Sequence, residues 1–149
     1  MKRQIQLTLL FCFVICFAIY FLTPQGALSA EETDKPAPSG PEKLALIQAL
    51  LCEDVVDGIP QTPAIVFPTS TREISCFTFF DPVPGKTFIQ HIWYHRDKPS
   101  ARIRLSLKSP RWATYSTILM RDTDKGPWKV EVTDGNGKIL RVLRFSITD

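Results

Sequence analysis

The side chains of this chain best suited to chemistry are its two histidines and four cysteines. His91 and His95 stand four residues apart. On a helix that spacing would bring two imidazoles to one ion, but on a strand it leaves them on one face about 13 Å apart, too far to share a metal. Ile89, Ile92, Trp93 and Tyr94 are interleaved with them, and these residue types favour a strand. No third histidine exists to complete a site, so neither a metal nor a cofactor is expected. On a strand, Ile89, His91 and Trp93 share the inward face and Gln90, Ile92 and Tyr94 the outward one. A buried His91 hydrogen-bonded to backbone or to a tyrosine is the plain reading. The functional alternative makes His91, Tyr94, Arg111, Trp112 and Tyr115 parts of one recognition surface.

Cys12 and Cys16 lie inside an apolar run and belong to targeting rather than to a folded domain. Ile15 precedes Cys16 where a lipidated cysteine needs a small residue, so no lipoprotein is read. The remaining pair, Cys52 and Cys76, is expected to form a disulfide if the domain is exported. Closing that loop of 25 residues would contribute about 3.5 kcal/mol in the chain-entropy model. Two buried free thiols are the alternative, because spacing alone does not show that the Cβ atoms meet.

Other constellations are weaker. Asp122 and Asp124 open like a calcium loop, but Gly126 falls one position early and Thr133 stands where the bidentate glutamate belongs, so an ordinary turn is expected. No Gly-x-Ser-x-Gly elbow and no phosphate-cradling glycine loop is present. Trp93, Trp112 and Trp128 could line a sugar- or peptide-binding face, though packing accounts for them equally well. Trp128 alternates in phase with Val130 and Val132 and belongs to the core, whereas Trp112, just after Pro110, is expected to be partly exposed.

The elements that must carry these residues follow from period-two patterning. Trp128 to Thr133 alternates apolar with polar, Asp134-Gly135-Asn136-Gly137 supplies a turn, and Leu143, Phe145 and Ile147 mark the returning strand: a β-hairpin over 126–147. Further strands are expected over 73–80, 87–95, 101–108 and 111–120. Ile74 and Cys76 on one face of the first of these, with Phe77 and Phe79 on the other, make it central. In 101–108, Ile103, Leu105 and Leu107 point in while Arg102, Arg104 and Ser106 point out. Residues 44–56 are ambiguous, and are read as a short helical or irregular lead-in to a strand near 50–56. Residues 62–71, with Pro63 and Pro68, read as a loop in which Phe67 tucks back as a plug. The sum is an all-β fold, an immunoglobulin-like antiparallel β-sandwich of about seven strands over residues 43–149.

What precedes it reads as an address. Lys2 and Arg3 come before 14 unbroken apolar residues, Leu9 to Leu22, then Pro24 and Gly26. A run that short favours a cleaved signal peptide over residues 1–30, with a retained inner-membrane anchor over 5–22 as the alternative. Either way the domain is expected outside the cytoplasm. Residues 31–42 hold Pro36, Pro38 and Pro41 and no large apolar side chain, and read as a disordered tether. Without the first 30 residues, 16 basic side chains face 15 acidic ones, and no block of like charge occurs. Nucleic acid is therefore no expected partner, and a membrane is one only through an uncleaved N-terminus.

Several blocks resemble a known family: Cys52-x-x-Val55 with Pro60, Cys76-Phe77-Thr78, His91-Ile92-Trp93-Tyr94, Trp112-x-Thr114-Tyr115-Ser116, and Gly126-Pro127-Trp128-x-Val130-x-Val132-x-Asp134-x-x-Gly137 with Phe145. Over about 49–148 they are similar to the bacterial domain of unknown function 2914 family, departing at Ala113, where a basic residue is usual. The resemblance implies an exported β-domain and carries no activity with it. The expectation is a non-enzymatic periplasmic or extracytoplasmic module that binds an envelope protein or a glycan. The alternative is an envelope hydrolase or other enzyme using His91 with Asp97, Tyr94 or Arg111.

Overall fold

The computed structural model describes residues 43–149, so the expected signal or anchor and the tether lie outside the described residues. Nine strands and one turn of 3-10 helix follow in order: β1 (Leu46–Val56), β2 (Ile59–Pro63), β3 (Val66–Pro68), β4 (Glu73–Phe80), β5 (Thr87–His95), β6 (Lys98–Leu107), β7 (Trp112–Leu119), the turn Asp122–Asp124, β8 (Gly126–Asp134) and β9 (Ile139–Thr148). They form two sheets, β2-β1-β4-β7 and β3-β9-β8-β5-β6. Every pairing is antiparallel except β3 with β9. Among the described residues no helix is long and apolar enough to cross a membrane.

Alternation built the core. Ile74, Cys76 and Phe80 of β4, Ile89 and Trp93 of β5, Leu107 of β6, Trp128, Val130 and Val132 of β8, and Phe145 and Ile147 of β9 meet between the sheets. Trp93, Val130 and Val132 are fully buried, as the period-two pattern requires. β4 is indeed central, flanked by β1 and β7.

Three expectations need correction. Residues 46–56 are strand throughout, with no helical lead-in. A bulge between Leu46 and Gln48 rephases the strand, so that Leu46 and Leu51 both reach the core although they are not an even number of residues apart; that spacing imitates a helix. The stretches holding Pro60, Pro63 and Pro68 are short strands at sheet edges, where a missing N–H costs no ladder bond, and they raise the count from about seven to nine. Phe67 is a plug as expected, fully buried and edge-on to Phe145 at 5.9 Å, but it sits on β3 rather than on a loop.

Candidate functional site

His91 lies at the middle of the sandwich, fully buried. β5 delivers it from one sheet, and β4 and β7 bring Thr78 and Ser116 to it from the other. Its Nδ1 is 2.8 Å from Ser116 Oγ and its Nε2 is 3.3 Å from Thr78 Oγ1. Two further bonds fix the directions. Trp93 Nε1–H donates to Ser116 Oγ at 3.1 Å, and Thr78 Oγ1–H donates to the Thr114 carbonyl at 3.2 Å. Ser116 Oγ–H therefore donates to His91 Nδ1, and His91 Nε2–H donates to Thr78 Oγ1, a tautomer assigned from the partners. The chain of bonds runs one way, from the Trp93 N–H to the Thr114 carbonyl, and each donor on it has an acceptor.

Burial disfavours the imidazolium and lowers the His91 pKa to about 4. Among the described residues no carboxylate touches the ring to offset that. Ser116 and His91 have the contact of a nucleophile and its base, but both are buried, Ser116 at 4% exposure. An open depression of about 580 Å³ lies elsewhere, lined by Thr69, Ser70, Arg72, Met120, Arg121 and Asp122.

The five residues of the expected recognition surface do not share a face, which corrects that grouping. His91 is inside. Tyr94 points out from the five-stranded sheet, where its hydroxyl donates to Glu131 Oε2 at 3.0 Å. Tyr115 points out from the other sheet, opposite Phe77. Trp112 pairs with Phe80 and turns its half-buried ring toward the core, with Lys108 Nζ 5.1 Å from its centre. Arg111 is exposed in the turn before it. Asp97, offered as a partner for His91, instead pairs with Lys129 at 3.5 Å.

The cysteines also part company. Leu51 lies opposite Cys76 and Cys52 opposite Ser75. Directly opposed residues share a face, so Cys76 points into the core and Cys52 points out of the sheet. Both are buried free thiols, and the expected disulfide is absent. Cys52 Sγ is 3.7 Å from the Ser75 carbonyl. Burial pushes both thiols up, away from the thiolate.

Among the described residues no group of three or more His, Cys, Asp or Glu is placed to hold a metal. His95 Nε2 meets the Lys125 carbonyl at 3.1 Å and its ring stacks on Trp128 at 4.5 Å. Asp122–Asp124 is a plain turn, in which Asp124 Oδ2 accepts the Arg121 N–H at 2.9 Å.

Sequence reasoning missed Thr78 and the roles of Ser116, and it missed the outer face of the five-stranded sheet. The signal for the first two was polar residues at inward positions of otherwise apolar strands. On the outer face, Arg104 covers the Phe88 ring at 3.6 Å and Lys129 covers Tyr94 at 4.4 Å. Arg102 on β6 and Arg144 on β9 point out on either side, the latter opposite Lys129. Four cations scattered in sequence thus share one sheet face, with Glu131 among them, 3.1 Å from Lys129. The Glu131 hydrogen bond raises the Lys129 pKa.

The residues named on this face fall in the part of the chain that matches a family model. Residues 86–147 match the family described as Protein of unknown function (DUF2914). The matched stretch holds β5 to β8 and most of β9, and is less than half of the chain. It opens at Lys86, later than the resemblance expected from Ala49. The matched stretch contributes His91, Trp93 and Ser116, while Thr78 precedes it. No curated protein matches the chain.

Proposed function

We propose that this chain is an exported cell-envelope β-sandwich module that acts without catalysis, by binding another envelope protein or a glycan. The observation that carries the reading is the outer face of the five-stranded sheet. Phe88 and Tyr94 lie there under Arg104 and Lys129, with Arg102 beside them. Rings held flat by cations keep their shape without a partner, so little side-chain freedom remains to be lost on binding. Aromatic surface next to hydrogen-bond donors suits a sugar ring or a protein surface. Export is supported by Lys2 and Arg3 ahead of the apolar run, and reach from the membrane or through the envelope by the proline-rich residues 31–42.

A crosslinking pull-down from intact envelopes, with the whole chain as bait, tests this. One dominant protein or glycan should be captured by the wild type and reduced at least tenfold by Tyr94→Ala with Arg104→Ala. Capture unaffected by these changes, or no capture at all, overturns the reading.

A further inference from the structure

Among the described residues each sheet has two edge strands, and exposed edges invite pairing with other chains unless something blunts them. Three of the four are blunted. β2 contains Pro60 and Pro63, and Thr62 leaves the extended region at φ 48°. β3 is three residues long and ends in Pro68. β6 carries Lys98, Pro99, Arg102 and Arg104. β7, Trp112-Ala113-Thr114-Tyr115-Ser116-Thr117-Ile118-Leu119, holds no charge, no proline and no glycine over eight residues.

The ladder shows which backbone groups of β7 are open. Met120 N–H donates to the Arg72 carbonyl at 2.7 Å, continuing the β7–β4 register, so even-numbered residues turn their N–H and C=O toward β4. Ala113, Tyr115, Thr117 and Leu119 turn theirs away from it. All four are exposed, Tyr115 at 47% and Leu119 at 71%. Their side chains stand on the outer face of the four-stranded sheet, where Tyr115 continues the row Leu50–Phe77.

We propose that β7 pairs antiparallel with β7 of a second copy of this chain, about a two-fold axis at Tyr115. Keeping the open groups opposed restricts the register to odd residues against odd residues. Centred on Tyr115, the pairing sets Tyr115 against Tyr115, Ala113 against Thr117 and Arg111 against Leu119. Centred one residue later, it would set Arg111 against Arg121, and like charges directly opposed destabilise a ladder. The Tyr115 register also joins Leu50–Phe77–Tyr115 of one copy to the same row of the other, across an eight-stranded sheet β2-β1-β4-β7-β7-β4-β1-β2. A second copy is the occupant that this edge fits, since an uncharged strand bracketed by Arg111 and Arg121 meets itself with neither cation opposed. The pairing leaves the outer face of the five-stranded sheet open, and so stands apart from the ligand proposed for it.

The test is site-specific photocrosslinking of the full chain in cells, from a benzophenone side chain at Thr117 or, as a control, at Val142 on the other sheet's outer face. A covalent species of twice the chain's mass should form from Thr117 and not from Val142. Introducing Tyr115→Lys should cut its yield at least tenfold while the thermal midpoint stays within a few degrees. A crosslink from Thr117 only to a different protein, no crosslink, or equal dimer from both positions overturns the proposal.

Discussion

The residues that looked most reactive are spent on structure. His91 uses both ring nitrogens inside the sandwich, and Cys52 and Cys76 leave opposite faces of one sheet. An accurate thiol count on the unfolded domain, residues 43–149, should therefore find two free thiols, and reductant should leave the melting temperature unchanged. A reductant-dependent fall would show that the bond forms. Cys76→Ala should destabilise by about 1–2 kcal/mol, because it removes a buried sulfur from packed surroundings. The inward position of His91 was legible from its place between Ile89 and Trp93. Its partners were not, because Thr78 and Ser116 come from strands 13 and 25 residues away, and register across two sheets is a tertiary property.

At the scale of elements, β5 and the β8–β9 hairpin could be read directly, since their bulges fall near the strand ends and leave the alternation of Ile89, His91 and Trp93 and of Trp128, Val130 and Val132 intact, and β4 could be read from its apolar residues on both faces. β1 could not, because its bulge breaks the alternation. β2 and β3 could not, because proline usually ends a strand and only a sheet edge tolerates it. The hairpin turn shows the other side of local coding. Asp134 Oδ1 accepts the N–H of Asn136 and of Lys138, both at 2.9 Å, and Gly137 sits at φ 83°. Gly137→Ala has open space for its Cβ but the wrong backbone conformation, and should cost about 1 kcal/mol in urea unfolding. A cost near zero would show that the turn relaxes to another type.

The described domain, residues 43–149, presents two unlike outer faces around a sealed polar centre. One sheet shows Phe88 and Tyr94 among cations, and the other shows Tyr115 and Leu119 beside an open edge. Sequence order hid the first face, because Arg102, Arg104, Lys129 and Arg144 form no run and meet only through β6, β5, β8 and β9. The sealed centre separates a module that works by its surface, in which His91 is neutral and out of solvent, from one that uses His91 for chemistry. His91 in the unfolded chain takes a proton near pH 6.5, and in the folded chain near pH 4. Between those values the unfolded state binds more protons, so this contribution is full above pH 6.5 and is lost as the pH falls to about 4. The loss is about 3 kcal/mol. The decisive measurement is unfolding stability from pH 7 to pH 4 for the wild type and His91→Gln, whose amide can keep part of the hydrogen bonding without titrating. The difference between the two should shrink by about 3 kcal/mol across that range. A difference that stays constant with pH, together with a His91 resonance titrating near 6.5 in the folded protein, would put the ring in contact with solvent and rule out a sealed centre.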